Sequence, residues 1–458
     1  MLRHFYYKVY CKLHFTAKLF LGKNKRKKFR FIDVKSNDIS NLDEVEVNGS
    51  FINELDIIGP VKIKKNQLFP TENVVAINSN MSLGNSFRKK NKSKLAFELD
   101  LISAPISWEN FIESAIIPEG YKYSGLYQTG YVSNNINQWC LPSWIWTNAA
   151  IVRLYSNQGK VAKAQTIGNI LLGNQLDCGG WIVRNDYDEN GAIPVLAPND
   201  SAYIANNAFL ELYKVTNKLE YLESAIKCAD WVMETSRDDG LVWTGYDYKN
   251  KKWLKEHIIV DTGFTAALFA NLFEITSESK YKVFLEKFVK QYVNLFYNPV
   301  KKGFCTSLNK YNQQSGGMFA RGQAWALEGL IPTYKVLKSK EIEIIIDETV
   351  ANLISKQANN GGWSYNFSKP LLGQDCKGVA VIAKNLLDWH QLKPSKEIVS
   401  SATKAQKWCI EHTSSKGESQ GGIFSFCMEG AVVHSFYTST ALVYSSSYAL
   451  EFTNVLKE

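Results

Sequence analysis

The chain has 458 residues, of which 45% are hydrophobic and 21% are charged, a balance typical of globular proteins and not of disordered ones. Its formal charge of +9 is concentrated in residues 1–32, which contain ten Lys and Arg residues and no acidic residue, and this leaves 43 basic against 44 acidic residues in the remainder. A nucleic-acid-binding domain would carry its positive charge on the folded body, so this class is excluded.

Residues 1–32 form a basic arm in front of the folded body. Lys8, Lys12 and Lys18 interrupt its apolar runs, so the arm has neither the ~7–15-residue apolar core of a signal peptide nor the ~20 apolar residues of a membrane span. We therefore expect a cytoplasmic protein without a signal peptide. The interleaved apolar and basic residues favour peripheral contact with an anionic membrane. A solvated basic tail is the alternative.

Residues 33–110 differ from the rest of the chain because β-type segments dominate them. Such segments, separated by turns rich in Asn, Ser, Gly and Pro, lie at 29–34, 44–47, 61–63, 74–77 and 95–101. We predict a small β-rich N-terminal region here. The sequence assigns no function to it.

Residues 111–458 contain an internal repeat that predicts the fold. Glycine-centred breaks follow one another at steps of 60, 63, 59 and 60 residues, at Gly180, Gly240, Gly303, Gly362 and Gly422. Each repeat holds one helix that is apolar on nearly every side and one with a single apolar stripe, so buried and surface helices alternate. A tetratricopeptide solenoid has a shorter repeat of ~34 residues. We therefore predict a mainly α protein whose catalytic-type domain is a closed (α/α)6 toroid, a barrel of six helical hairpins.

Charged residues stand where the inner helices are predicted to begin. Asp200 and Asp261 lie 61 residues apart, about one repeat, and Arg321 follows 60 residues later. Because the inner helices of such a ring begin at one rim, we expect two carboxylates and a guanidinium at the mouth of one cavity, with Asp375 at a further helix start. An Asp in such a place is also a favoured N-cap. A carboxylate pair is, however, the usual equipment for general acid–base work on a sugar.

Three segments at the predicted helix starts read Pro-Asn-Asp-Ser-Ala-Tyr (198–203), Ile-Val-Asp-Thr (259–262) and Phe-Ala-Arg-Gly-Gln-Ala-Trp-Ala (319–326). They resemble segments of the unsaturated glucuronyl hydrolases, six-hairpin glycosidases of glycoside hydrolase families 88 and 105. Pro-Asn-Asp-Ser-Ala-Tyr at residues 198–203, followed by Tyr-Lys-Val-Thr at 213–216, is similar to their His-Asp-x-Gly-Phe and Tyr-x-x-Thr-Gly segment. Ile-Val-Asp-Thr at 259–262 resembles their Ile-Asp-Thr-Met-Met. The most specific match is Phe-Ala-Arg-Gly-Gln-Ala-Trp-Ala at 319–326, which is similar to their Trp-Ala-Arg-Gly-Gln-Ala-Trp block. The resemblance covers roughly residues 140–458.

The resemblance implies that Asp261 is the general acid/base and Asp200 the second essential carboxylate. It also implies hydration of the C4=C5 double bond of an unsaturated uronic acid, with an acidic oligo- or polysaccharide as substrate. Three segments depart from the family pattern: Asn199 replaces a His, residues 312–316 replace a His-Gln-Gly, and residues 445–448 replace a Gly-Asp-Tyr-Tyr. The substrate-binding residues that we predict are Arg321, Gln323, Trp325, Asn199, Trp146, Tyr203 and Gln314.

Two other functions remain open at this point. A polysaccharide uronate C5-epimerase or lyase would use tyrosine to move the C5 proton, and Tyr203, Tyr311 and Tyr437 fall near the predicted rim. A non-catalytic carbohydrate-binding protein of capsule or exopolysaccharide biosynthesis would use the same ring of helices. The cysteines lack CxxC spacing and the histidines are scattered, so we expect no metal and no cofactor.

Overall fold

The structure is a computed structural model. It describes residues 44–51, 56–64, 75–78, 81–84, 103–117, 119, 124–132, 138–141, 145–188, 191–254, 257–368, 374, 376–415, 417–424 and 440–457. The basic arm of residues 1–32, the predicted β segments at 29–34 and 95–101, and the rim residues Asp375 and Tyr437 lie outside these ranges.

Helices make up most of the described chain. Their bounds, in chain order, are α1 (Ser103–Ser114), α2 (Ile145–Asn157), α3 (Val161–Gly173), α4 (Pro198–Ile204, continued by the π-helical turn Ala205–Leu210 and by Glu211–Thr216), α5 (Leu219–Thr235), α6 (Phe264–Thr276), α7 (Ser279–Phe296), α8 (Ala320–Leu337), α9 (Lys340–Lys356), α10 (Cys376–Leu392), α11 (Lys396–Glu411) and α12 (Val443–Lys457). Within the described ranges no helix is long and apolar enough to cross a membrane.

The alternation of buried and surface helices confirms the predicted toroid. Along α6 nearly every residue from Phe264 to Ala270 is buried, whereas α5 buries one stripe that includes Tyr221, Ala225 and Cys228. The inner helices α2, α4, α6, α8, α10 and α12 each contact the next, and α12 contacts α2, so the ring is closed. An all-apolar helix is stable only inside such a ring, because any exposed face would place apolar surface in water.

The ring is completed by a helix that precedes the repeats in sequence. Five inner helices are followed by their own outer helices, α3, α5, α7, α9 and α11, but the last inner helix, α12, is packed against α1. Helix α1 begins at Ser103, which is ahead of residue 111, where the toroid domain was predicted to start. The sixth hairpin therefore joins the two ends of the described barrel.

The glycines of the repeat hold each turn against the next outer helix. Gly361 has φ +92°, and a Cβ there would lie 2.2 Å from the carbonyl oxygen of Lys404 in α11. Gly421 has φ +85°, and a Cβ there would lie 2.4 Å from the carbonyl oxygen of Ser107 in α1. Only glycine combines this backbone conformation with so close an approach. The same contact on α1 supports its place as the sixth outer helix.

Short strands lie between an outer helix and the next inner helix in every described connection except the one from α9 to α10. They are β5 (Gly130–Val132), β6 (Gln138–Leu141), β7 (Ile182–Asp188), β8 (Gly191–Leu196), β9 (Tyr246–Asp247), β10 (Lys252–Trp253), β11 (His257–Ile259), β12 (Tyr297–Asn298), β13 (Gly303–Phe304), β14 (Ser307–Asn309), β15 (Gln314–Ser315), β16 (Ile423–Phe424) and β17 (Thr440–Leu442). Two of their sheets border the helix starts, with the strand orders β10-β9-β8-β7 and β11-β14-β15.

Up to residue 84, the described part of the predicted β-rich region consists of strands, whereas its last eight residues belong to helix α1. β1 (Glu44–Phe51) and β2 (Asp56–Lys64) form an antiparallel hairpin. β3 (Val75–Asn78) and β4 (Met81–Gly84) belong to a six-stranded sheet with the order β16-β17-β5-β6-β4-β3. Four of these six strands come from the toroid segment, so the second hairpin extends a sheet of the barrel.

Candidate active site

The two carboxylates and the guanidinium stand at the starts of three successive inner helices. Asp200 lies in the first turn of α4, Asp261 in the 3-10 turn Val260–Gly263 ahead of α6, and Arg321 is the second residue of α8. The 3-10 turn contacts both α4 and α8. All three side chains are half-buried. The structure therefore brings the elements that carry these residues together at one rim, with Asp261 in the middle.

Neither carboxylate occupies an N-cap position. The N-cap of α4 is Ala197, and that of the 3-10 turn is Ile259. The alternative reading, in which each Asp simply caps a helix, is therefore not supported by the helix boundaries. Asn199 is buried beside Asp200, and its amide nitrogen lies 3.5 Å from the Asp200 carboxylate.

The turn that carries Asp261 is held from several sides. The buried hydroxyl of Tyr292, in α7, donates to the carbonyl oxygen of Val260 at 2.8 Å, and the Val260 amide donates to the carbonyl oxygen of Thr306 at 2.9 Å. A Cβ on Gly329 in α8 would lie 2.2 Å from the carbonyl oxygen of Gly263. The position of Asp261 therefore depends on contacts with α7, with the segment between β13 and β14 and with α8.

The guanidinium of Arg321 lies among aromatic rings. Its Cζ atom is 5.2 Å from the ring centroid of Trp325, 5.6 Å from that of Tyr365 and 5.9 Å from that of Phe319. Cation–π contacts of this kind stabilise the cation and restrict its rotamers. A fixed guanidinium is well suited to bidentate binding of a carboxylate.

Gln323 is in the block most like the family, but it lies in the protein interior. Its side chain is 0% exposed. Its Oε1 accepts from the Phe304 amide at 2.6 Å, and its Nε2 donates to the carbonyl oxygens of Phe304 at 2.8 Å and Phe319 at 3.0 Å. The amide thus joins the start of α8 to strand β13. We interpret Gln323 as a positioning residue for Arg321, in place of the predicted sugar contact.

Aromatic rings lie beside and beneath the helix starts. Half-buried Trp146 makes edge contacts with Tyr444, at a centroid distance of 4.8 Å, and with Tyr203, at 6.0 Å. Phe264 continues the series, 4.8 Å from Tyr203 and 6.1 Å from Trp325. Of these rings, Trp146 and Trp325 are half-buried and the others are buried, so these two can offer part of a ring face to a ligand.

Tyr203 and Gln314, which were also predicted to bind substrate, make other contacts in the structure. Tyr203 is 1% exposed, its hydroxyl is 2.7 Å from that of Tyr448, and burial raises the pKa of the Tyr203 hydroxyl well above its usual value. It therefore supports the site from the core. Gln314 is exposed at the edge of the β11-β14-β15 sheet, where its Nε2 donates to the Leu295 carbonyl oxygen at 2.9 Å.

A buried ionic network lies deeper in the ring, and the sequence analysis missed it. Arg153 makes a bidentate pair with Glu451, at 2.9 and 2.8 Å, and bonds to Glu328 at 3.0 Å and Asn207 at 2.6 Å. The hydroxyl of Tyr448 is 3.1 Å from Glu328. Arg153, Glu328 and Glu451 each lie eight residues after the first residue of their inner helix, about 12 Å below the rim.

These groups define the chemistry that the rim offers. Two carboxylates, a fixed guanidinium and aromatic faces are the equipment of an enzyme that protonates and binds an acidic sugar. Among the described residues, no three His, Cys, Asp or Glu side chains are grouped as metal ligands. A closed ring of helical hairpins with this rim belongs to the class of glycoside hydrolase-like enzymes.

The model of Glycosyl Hydrolase Family 88 matches residues 131–453, more than half of the chain. The chain belongs to this family, and it is a glycosidase. Comparison with curated protein sequences gives no match.

Solved structures share the fold at low sequence identity. An unsaturated glucuronyl hydrolase specific for heparin is 15% identical with a TM-score of 0.59, over 78% of this chain and 95% of that chain. The unsaturated glucuronyl hydrolase of Bacillus sp. GL1 is 14% identical with a TM-score of 0.58, over 77% and 94%. A sugar epimerase from a ruminal bacterium is 13% identical with a TM-score of 0.62, over 77% and 97%. At these identities the likeness concerns the fold alone.

Proposed function

We propose that this glycosidase hydrates the C4=C5 double bond of an unsaturated uronic acid at the end of an acidic oligosaccharide. The observation that carries the proposal is the contact of the Asp261 turn with both neighbouring inner helices, α4, which carries Asp200, and α8, which carries Arg321. In this proposal Asp261 is the proton donor, Asp200 the second carboxylate beside it and Arg321 the cation that binds the substrate. The family supports the same substrate class, as do the similar hydrolases, one of which is specific for heparin while the other degrades glycosaminoglycan.

In the proposed reaction Asp261 gives its proton to C4 of the unsaturated ring. The π electrons form the new C4–H bond, and positive character develops at C5, where the ring oxygen shares it. A water molecule oriented by Asp200 adds its oxygen to C5 and returns a proton to the Asp261 carboxylate. The resulting hemiketal opens, and the neighbouring sugar leaves with its hydroxyl group. Such positioned proton transfer commonly contributes ~10²–10⁴-fold to the rate.

The remaining groups bind the substrate in this proposal. Arg321 pairs with the uronate carboxylate through two parallel N–H bonds, which is the strongest geometry for such a pair. Trp325 and Trp146 offer apolar faces to the sugar ring, and Asn199 orients the carboxylate of Asp200. Tyr292 and Gln323 act as positioning residues through the turns that they hold.

An epimerase or lyase would need a tyrosine at the reacting carbon. Of the three tyrosines considered for that role, Tyr203 is buried with a raised pKa, and Tyr311 is 70% exposed in the segment between β14 and β15. Tyr437 is outside the described residues. Neither Tyr203 nor Tyr311 is therefore suited to proton shuttling, and we favour hydration by the carboxylate pair.

The test follows the ultraviolet absorbance of the conjugated double bond. Unsaturated disaccharides made by lyase digestion of glycosaminoglycans and of galacturonan are incubated with the enzyme. Loss of absorbance supports hydration. A gain of absorbance on the intact polysaccharides identifies a lyase, and an unchanged absorbance with every substrate contradicts the proposal in favour of an epimerase or a binding protein.

A further inference from the structure

A cavity lies between the end of α5 and the start of α6. We call it the rim groove. Its volume is about 970 Å³, and its lining comes from the end of α5, from residues 236–253 and from Leu196 and Cys178. This volume is at the upper end of the ~300–1,000 Å³ range of small-molecule sites. None of the predicted site residues lines it.

Aromatic side chains form much of the rim groove. Trp231, 7% exposed, is one of its buried lining residues. Half-buried Tyr246 and Trp253 also line it, with their ring centroids 4.9 Å apart at an angle of 57°. The Arg237 guanidinium lies 4.8 Å from the ring centroid of Trp243. Rings inclined to one another in this way present several apolar faces to a ligand that is itself flat and hydroxylated.

The charges of the rim groove favour a neutral ligand. Arg237 is paired with Asp239 at 2.7 Å and donates to Asn312 at 3.0 Å, so its charge is largely satisfied. The charged lining residues comprise three acids against two bases, namely Glu234, Asp238 and Asp239 against Arg237 and Lys251. An acidic sugar would meet net repulsion here. The carboxylates can instead accept hydrogen bonds from the hydroxyl groups of a neutral sugar.

The rim groove shares its framework with both catalytic turns. Leu196, which lines the groove, pairs with Tyr246 across strands β8 and β9 and stands four residues before Asp200. On the other side, the hydroxyl of Thr244 donates to the His257 carbonyl oxygen at 3.0 Å and accepts from the Ile259 amide at 3.1 Å, two residues before Asp261. The β8–β9 pairing therefore joins the groove to the helix of Asp200, and the Thr244 hydrogen bonds join it to the strand that precedes Asp261.

We propose that the rim groove is a distal subsite that binds neutral sugar residues of the oligosaccharide whose acidic end enters the central cavity. The rings stack on the C–H faces of the sugar, and the carboxylates bind its hydroxyl groups. The central cavity, with Arg321, takes the uronate. The link to the acidic end rests on the proposed function, whereas the binding of neutral sugar in the groove does not.

The experiment measures binding without turnover. Maltohexaose, cellohexaose and mannohexaose, with tetragalacturonate as the acidic comparison, are titrated into the full-length Asp261→Asn variant and followed by saturation-transfer NMR. We expect at least one neutral probe to bind and Trp253→Ala to weaken it by about ten-fold or more, as truncation of a central aromatic contact does. Trp253→Phe, which keeps a ring against Tyr246, should weaken it less. Tyr311→Ala, an exposed aromatic outside the groove lining, is the matched control.

The outcomes separate this proposal from the proposed function. Binding of a neutral probe that depends on Trp253 supports the subsite even if no unsaturated uronide is hydrated. Absence of binding by every neutral probe at millimolar concentration overturns it. So does binding that is indifferent to Trp253→Ala in a variant whose melting temperature matches the parent, or tighter binding of tetragalacturonate that responds to Trp253→Ala.

Discussion

Replacement of Arg153 by Met should destabilise the barrel more than any other single change at its centre. Arg153, Glu328 and Glu451 are 5–7% exposed, and the guanidinium bonds to both carboxylates. Its removal leaves two carboxylates in the interior without their main partner. Breaking a buried pair by removing one partner costs ~3–5 kcal/mol. Because whole domains are stable by only ~5–15 kcal/mol, the effect should be large.

The assay is urea unfolding at neutral pH, followed by tryptophan fluorescence. Lys407→Met is the matched control, since Lys407 is exposed and lies 4.0 Å from Glu411 on an outer helix, and such surface changes are usually within ~0.5 kcal/mol. A triple variant, Arg153→Met with Glu328→Gln and Glu451→Gln, should recover much of the loss because it removes the uncompensated charges. A loss below ~1 kcal/mol for Arg153→Met, or a triple variant no more stable than the single, would refute the reasoning.

Three further predictions concern stability. Gly329→Ala should lower the free energy of unfolding by ~1–3 kcal/mol, since the new Cβ would lie 2.2 Å from the Gly263 carbonyl oxygen. Gly173→Ala is the control, because the space around Gly173 is open, and it should leave the urea midpoint unchanged. Tyr292→Phe should cost ~1–3 kcal/mol by leaving the buried Val260 carbonyl without its hydroxyl donor, and an unchanged urea midpoint would contradict this. Burial raises the pKa of Glu451, but the positive charges of Arg153 and Lys384 outweigh it, so that this pKa is lowered. The stability that the ionised Glu451 contributes is present above its pKa in the unfolded chain, ~4.3, and is lost as the pH falls through its lower pKa in the folded protein. In a series of urea midpoints measured at decreasing pH, Glu451→Gln should therefore reduce the fall in midpoint below about pH 4.

The fold could be predicted because the same pattern of apolar residues recurs in each repeat of the sequence. Each hairpin has one apolar helix and one striped helix, and the turn after each outer helix needs glycine for its backbone conformation, as at Gly361. A hydrogen bond also repeats from one hairpin to another. Ser224 donates to Gln175, four residues before Gly179, and Ser401 donates to Gln357, four residues before Gly361. The place of α1 could not be predicted, because it precedes the first repeat and completes the last one through contacts distant in sequence.

The repeat also allowed part of the rim to be predicted from the sequence. Inner helices share a direction, so Asp200, Asp261 and Arg321 could be assigned to one rim from their spacing alone. Whether a polar side chain at a helix start faces the cavity or the core depends on the neighbouring strand. Gln323 is bonded to β13, and Tyr203 to the next-but-one helix in space, through Tyr448. Neither partner can be identified from the local sequence.

The sequence contains an indication of the buried ionic network that our sequence analysis did not consider. Glu328, Lys384 and Glu451 each interrupt an otherwise apolar inner helix eight residues after its first residue. A charge at the same depth of several buried helices must meet an opposite charge there, since an unpaired one is costly. The partner of the two carboxylates, Arg153, can be identified only once the ring is closed, and Lys384 pairs with Asp388 on its own helix.

The central claim is that Asp261 moves the proton. The most direct measurement compares Asp261→Asn with Asp347→Asn, a half-exposed carboxylate on an outer helix, by the loss of ultraviolet absorbance of an unsaturated disaccharide and by the melting temperature. The account predicts that Asp261→Asn lowers kcat by ~10²–10⁴-fold with little change in melting temperature, while Asp347→Asn retains full activity. An Asp261→Asn enzyme that keeps its activity and melts at a lower temperature would contradict the claim and assign Asp261 to helix stability.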